Sequence, residues 1–91
     1  MGAVTEAIRS KLSAAFSPAR LEIEDDSAHH QGHAGARPGG ESHFNVVIES
    51  AAFEGQTRLA RQRAVYATLA EELAGPVHAL SVKALALGEA G

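Results

Sequence analysis

The chain has 91 residues, 45% of them hydrophobic, which suits one folded domain with a single core. A net charge of −3 argues against a protein whose main task is to bind phosphate groups, although a local basic cluster can override that balance. The absence of cysteine excludes disulfides, a thiolate nucleophile and any iron–sulfur site built from this chain's own thiolates. Because no signal peptide or membrane-spanning run is seen, we expect one cytoplasmic domain over residues 1–91 without membrane contact.

The first half of the chain predicts a helix and two strands. Apolar residues recur every four positions from Val4 to Phe16, which predicts a helix over residues 5–15 that ends before Pro18. Alternation of apolar and polar residues predicts strands at 21–24 and 44–49, which should pair antiparallel.

The segment between these strands, residues 28–42, has a different composition. It is rich in glycine and histidine and contains no large apolar residue, so we expect a flexible loop.

The second half predicts a short helical turn at 51–54 and a long amphipathic helix over 57–74. Gly75 is placed to be a left-handed residue after the helix, and Pro76 forbids its continuation. The predicted inward stripe of this helix consists of residues three and four apart: Leu59, Gln62, Tyr66, Leu69 and Leu73. Burial on that stripe would require a hydrogen-bond partner for the amide of Gln62.

Alternation of Leu80 and Val82 with polar neighbours predicts a third strand over residues 79–86, and residues 87–91 should form a frayed tail. The predicted order is therefore helix, strand, strand, helix, helix, strand. Packing the helices on one face of the sheet predicts an α+β fold in the form of a two-layer sandwich.

The histidines are the first candidates for chemistry. His29, His30 and His33 lie in the predicted loop, where packing gives no reason for an imidazole. They are either part of a solvated polar loop or ligands of a transition metal, and their spacing matches no zinc-finger or HExxH pattern. His78 stands alone where the long helix gives way to the third strand, and its simplest interpretation is a structural histidine bonded to the backbone.

The arginines are the second candidates. Arg58, Arg61 and Arg63 crowd the first turns of the long helix, where cations oppose the helix dipole and so do not favour its stability. Arg61 projects opposite the predicted apolar stripe and should be solvated. The group is either a solvated face or a surface that contacts phosphate or an acidic partner.

Catalysis is not predicted. No nucleophile stands near a base and an acid in recognisable spacing, and no phosphate-binding loop or pair of buried carboxylates is apparent.

Several short motifs, spread over nearly the whole chain, resemble the signature of the BolA family. In chain order they are Asp26-Ser27, His30-x-Gly32-His33, Ser42-His43-Phe44, Phe53-x-Gly55, Arg61-x-Arg63 with Val65-Tyr66, Glu72-Leu73 and His78-Ala79-Leu80-Ser81. The resemblance implies a fold similar to the type II KH domain. However, the turn before the long helix reads Gly55-Gln56-Thr57-Arg58 and lacks the second glycine of the KH backbone clamp, so RNA binding in the KH manner is not expected.

The resemblance also implies a function. In the BolA family the histidine at the position of His78 resembles a ligand of a [2Fe–2S] cluster shared in a heterodimer with a monothiol glutaredoxin and glutathione. The second ligand would be His30, with His33 as the runner-up and His29 as a further alternative. We therefore expect an accessory protein of cluster maturation, trafficking or iron sensing that holds no cluster by itself. The alternative is a DNA-binding transcriptional regulator that uses the Arg58–Arg63 segment.

Overall fold

The computed structural model describes residues 2–26 and 42–89 and confirms the predicted α+β sandwich. No helix in these two ranges is both long and apolar enough to cross a membrane. The predicted loop falls almost wholly outside the described residues, as do His29, His30 and His33. The elements are α1 (Ala3–Phe16), β1 (Arg20–Asp25), β2 (His43–Glu49), a 3-10 turn (Ala51–Phe53), α2 (Arg58–Thr68), α3 (Ala70–Ala74) and β3 (Ala79–Leu85).

The three strands form one sheet in the order β1-β2-β3. The predicted antiparallel pairing of β1 with β2 is confirmed, with Leu21 opposite Ile48. β3 pairs parallel to β2, so that His43 lies opposite Ala79 at the start of both strands. The beginnings of β2 and β3 and the end of β1 therefore share one end of the sheet, and within residues 2–26 and 42–89 no strand pairs with the other edge of β3.

The core lies between the helices and one face of the sheet. Phe44, Val46 and Ile48 alternate along β2 with less buried residues, as a strand with one covered face requires. Ile8 and Leu12 of α1 are fully buried, one helical turn apart. The remaining core residues come from the later elements: Phe53, Val65, Leu69, Val77 and Ala84.

The long helix differs from its prediction in two respects. It is interrupted at Leu69, whose ψ of 22° departs from helical geometry, although Leu69 N–H still bonds to Val65 O at 3.1 Å. The predicted apolar stripe is right for Leu69 and Leu73, which pack into or against the core, but wrong for Leu59 and Tyr66, which are 59% and 39% exposed. On α2 the most buried residues are Arg61 and Val65, which are four positions apart and continue to Leu69.

The end of this helix also corrects one prediction. Gly75 has a φ of −112° and is not left-handed, although the helical segment does stop at Ala74, before Pro76. Its N–H reaches the Glu71 and Glu72 carbonyls, and Val77 N–H bonds to the Glu72 carbonyl at 2.9 Å. These bonds satisfy the last carbonyls without a left-handed residue and bring Val77 into the core.

An ion-pair network joins α1 to α3. Lys11 Nζ lies 2.7 Å from a carboxylate oxygen of Glu71 and 2.8 Å from one of Glu72. Hydrogen bonds to these two carboxylates raise the pKa of Lys11, and the bond from Lys11 lowers the pKa of Glu71. Glu72 is buried, so Lys11 supplies the partner that a buried carboxylate needs.

Candidate functional site

The backbone of His78 is tightly held while its side chain is exposed. Val77, immediately before it, is buried, and His78 N–H donates to Ser42 O at 2.7 Å. Ala79 N–H donates to the same carbonyl at 3.2 Å. Within residues 2–26 and 42–89 the imidazole of His78 has no hydrogen-bond partner, so a purely structural role finds no support there. His78 is a preorganised, accessible imidazole.

A second imidazole lies beside it. The ring centroids of His43 and His78 are 6.4 Å apart, with the ring planes tilted by 30°. A hydrogen bond of 2.9 Å joins the Ser42 hydroxyl to Nδ1 of His43 and orients that ring. His43 was not among the predicted site residues, because local sequence does not reveal that β2 and β3 are parallel neighbours. The parallel register is what brings the start of β2 next to His78.

A shallow pocket of about 160 Å³ lies at this end of the sheet. Its wall includes Asp26, at the end of the first described range, and His43, near the start of the second. The segment that carries His30 and His33 therefore begins and ends at this pocket. Among the described residues, no group of three or more His, Asp or Glu is placed to hold a metal ion.

The predicted solvated position of Arg61 is wrong. The residue is only 7% exposed, and its Nε donates to Gln56 O at 3.1 Å. Its Nη1 donates to Ala84 O at 3.0 Å and to the Glu89 carboxylate at 2.6 Å. The guanidinium tolerates burial because it is paired with a carboxylate and with two carbonyls.

Arg61 belongs to a row of donors that covers the free edge of β3. Gln62 Nε2 donates to Val82 O at 2.5 Å, and Tyr66 Oη donates to Leu80 O at 2.9 Å. With Arg61 on Ala84 O, three side chains of α2 satisfy alternate carbonyls of the edge strand. An uncovered strand edge invites pairing with other chains, and this row blocks it. The expectation that Gln62 needs a hydrogen-bond partner is confirmed.

The tail after β3 makes hydrogen bonds to the rest of the domain up to Glu89, the last described residue. Ala86 N–H donates to Glu89 Oε1 at 2.8 Å, and Gly88 N–H donates to Glu49 Oε2 at 2.7 Å. The bond from Ala86, followed by that from Arg61, lowers the pKa of Glu89. Because the pKa is lower in the folded state, this contact stabilises the fold at neutral pH and is lost as pH falls through the lowered value.

The arginines do not form one surface. Arg58 and Arg63 are exposed. They are five positions apart in the helix, which places them roughly 140° apart around its axis. Arg61, between them in sequence, faces inward. The structure therefore does not bring the three predicted arginines together.

Comparison with known proteins agrees with the motifs and the fold. The family model described as BolA-like protein matches residues 12–89. The chain belongs to the BolA family. It is 51% identical over 84 residues to the human BolA-like protein 1, covering 92% of this chain and 58% of that protein. It is 45% identical over 86 residues to the DNA-binding transcriptional regulator BolA of Escherichia coli, covering 94% of this chain and 78% of that protein.

Solved BolA structures have the same architecture. The BolA domain of SufE1 from Arabidopsis thaliana superposes with a TM-score of 0.86 at 40% identity and covers 99% of both chains. The solution structure of BolA1 from Mus musculus gives a TM-score of 0.79 at 44% identity, covering 96% of this chain and 68% of that one. The chain thus spans 58% of the length of the human BolA-like protein 1. It spans nearly the whole length of the BolA domain of SufE1. BolA is not a known enzyme family.

The position of Gln62 provides a first test, because its amide bonds directly to the backbone of β3. We expect Gln62→His to fold normally and to bind glutaredoxin nearly as well as the wild type, since an imidazole N–H can also donate to Val82 O. Thermal unfolding and a binding titration would check this. A loss of affinity greater than about tenfold, or 1.4 kcal/mol, would show instead that the position belongs to the interface. Gln62→Leu is the matched control, because it leaves the carbonyl without its donor.

Proposed function

We propose that this BolA protein binds a monothiol glutaredoxin and, in the heterodimer, shares a [2Fe–2S] cluster through histidine ligands. Its role would be that of an accessory protein in cluster maturation, trafficking or iron sensing. The observation that carries the proposal is the exposed imidazole of His78, whose backbone is anchored to Ser42 O beside a second imidazole. The segment that bears His30 is attached at the same end of the sheet.

This chain can supply only some of the ligands that such a cluster needs. One iron of a [2Fe–2S] centre accepts two imidazoles in place of two thiolates. The chain has histidines but no cysteine, so the glutaredoxin and glutathione would supply the sulfur ligands. Within the described ranges, the absence of any three-residue metal group is in keeping with a site completed by a partner.

His78 and His30 would hold the cluster, with His33 or His29 as alternatives for the second position. When bound, the cluster supplies a one-electron redox centre with an iron ligated by imidazole. The fixed backbone of His78 orients one ligand before the partner arrives. Protonation removes an imidazole from a metal more readily than a thiolate, which suits release of the cluster to a recipient.

The proposal predicts that the isolated protein is colourless. Because the chain provides imidazoles and no thiolate, it should purify without the visible absorption of an iron–sulfur cluster. Addition of glutaredoxin loaded with a cluster and glutathione should produce a new visible circular dichroism spectrum with a stoichiometry of one to one. A stoichiometric cluster on the isolated chain, without partner or glutathione, is the result that would contradict this prediction.

DNA binding is the second candidate, and the name of the Escherichia coli relative favours it. The burial of Arg61 leaves Arg58 and Arg63 as the exposed members of the predicted arginine group. Two phosphate contacts would give a slope of only about −2 in a plot of log affinity against log salt concentration. Fluorescence anisotropy with duplex DNA would support this candidate if Arg58→Gln and Arg63→Gln both abolish binding while His78→Ala does not.

A further inference from the structure

A second pocket lies at the opposite end of β3 from His78. It has a volume of about 190 Å³ and lies between the first turns of α2, the end of β3 and the tail that contains Glu89. Arg58, Arg61 and Lys83 contribute to its wall, together with the apolar residues Val82 and Ala84. We propose that this pocket binds a small dianionic acid, a dicarboxylate or a phosphate compound.

The charge of the wall favours an anion. Three cationic residues share the pocket with one carboxylate, Glu89, in a protein whose overall net charge is −3. Arg58 is close enough to Glu89 for its positive charge to contribute to the lowered pKa of that residue, after the bonds from Ala86 and Arg61. A concave site with an excess of positive charge focuses the electrostatic potential and concentrates anions.

Arg61 provides a preorganised donor. Its side chain is 91% buried, since its relative exposure is 9%, and its Nε and Nη1 are used by Gln56, Ala84 and Glu89. Its Nη2 has no hydrogen-bond partner among the described residues. Arg61 lines the pocket, so its positive charge contributes to the potential there.

This arrangement specifies an oxyanion. A guanidinium binds carboxylate and phosphate groups through two parallel N–H bonds, whereas Glu89 contacts Arg61 through one oxygen and one nitrogen. Because Nε and Nη1 of Arg61 are already engaged, only its Nη2 remains for a ligand, and the Glu89 contact shows that the site accepts a carboxylate. At about 190 Å³ the pocket is smaller than the 300–1,000 Å³ of sites for drug-sized ligands. A compound as small as phosphate or succinate matches that size.

Glu89 should act as a competitor inside the site. Its carboxylate takes part of the positive charge that a ligand would use, and it is held only by the Ala86–Glu89 turn and Arg61. Removal of that negative charge should increase the affinity for an added dianion. The pocket thus has a built-in counter-ion that an anion of higher charge can displace.

The test is a titration with sodium succinate and, separately, with inorganic phosphate, followed by amide NMR shifts at constant ionic strength. We expect saturable shifts at Arg61, Ala84 and Ala86 with at least one of the two anions. Arg58→Gln should weaken binding about fivefold or more, and Glu89→Gln should strengthen it by about the same factor, as expected for one nearby unit charge. Arg63→Gln is the matched control and should change the affinity less than about twofold, because Arg63 does not line the pocket.

Arg58 is exposed, so its substitution leaves the domain folded and the result interpretable. Shifts that never saturate, or an equal loss of affinity in Arg63→Gln, would mean unspecific charge attraction and would overturn the proposal. It would also be overturned if a short DNA duplex shifted the same amides while both small anions failed to do so. His78 precedes the first residue of β3, whereas the pocket lies at the other end of that strand, so these outcomes do not depend on cluster binding.

Discussion

Replacing His78 with alanine is expected to abolish the visible circular dichroism spectrum of the cluster shared with glutaredoxin. The imidazole is exposed and its backbone is anchored by two N–H bonds to Ser42 O, so no rearrangement of the loop can reproduce it. The folded state should lose less than about 0.5 kcal/mol, the usual effect of a surface substitution. Thermal unfolding of the variant, followed by titration with cluster-loaded glutaredoxin, would measure both quantities.

His30→Ala should have a milder effect than His78→Ala. His29 and His33 are close in sequence and can take its place, at the entropic cost of ordering the segment in another conformation. The spectrum should therefore weaken or change shape but not disappear. Titration of both variants under identical conditions gives the comparison.

His43→Ala is the matched control that the structure adds. Its ring centroid lies 6.4 Å from that of His78, so it is the described imidazole against which the assignment of His78 as ligand is tested. If His43→Ala abolishes the spectrum and His78→Ala does not, the ligand has been assigned to the wrong histidine.

Two other outcomes would contradict the cluster proposal itself. If His78→Ala unfolds the protein, His78 is structural and the proposal loses its main support. If His78→Ala and His30→Ala both fold and both give the wild-type spectrum, the cluster assignment is wrong and DNA binding becomes the leading candidate.

Arg61→Ala is expected to destabilise the fold by about 3 kcal/mol, the largest effect we predict for an arginine of this protein. The change removes the donor to Gln56 O and Ala84 O and leaves the Glu89 carboxylate without its partner. Buried carbonyls left without donors cost about 1–3 kcal/mol each. For a domain of this size, the melting temperature should fall by more than about 10 °C.

Arg63→Ala is the control for this prediction, because Arg63 is exposed on the same helix and should change stability by less than about 0.5 kcal/mol. Arg61→Lys should recover only part of the loss, because an ammonium lacks the fork that donates to several acceptors at once. Urea unfolding monitored by far-UV circular dichroism gives the free energies. Equal stability of Arg61→Ala and Arg63→Ala would mean that the guanidinium contacts contribute nothing net to folding.

Local sequence patterns predicted the order of the elements, apart from the break between α2 and α3. In α1 an apolar residue recurs every four positions, and around Val46 apolar and polar residues alternate. Each pattern shows which side of its element is buried, because the buried positions of a helix or strand recur at a fixed spacing within the segment. The same local information predicted the pairing of β1 with β2, the helix end before Pro76 and the partner that Gln62 needs. The motifs predicted the family.

The tertiary structure alone decided which face of α2 is buried. Leu59 and Tyr66 fit an apolar stripe, yet both are exposed to solvent, while Arg61 is buried. A helix that lies along the edge of a sheet meets backbone carbonyls as well as apolar side chains, so its inner face needs donors such as Arg61 and Gln62. Hydrophobic periodicity counts Arg61 as polar and therefore assigns it outward.

Local sequence patterns also could not predict which residues meet in the two candidate sites. His43 and His78 are 35 positions apart, and Arg61 and Glu89 are 28 positions apart. The two histidines meet because β3 lies parallel to β2. Arg61 meets Glu89 because α2 lies along the edge of β3 that faces away from β2. Such contacts depend on strand order and register, which are set by the packing of the whole domain and leave no periodic signal in either segment.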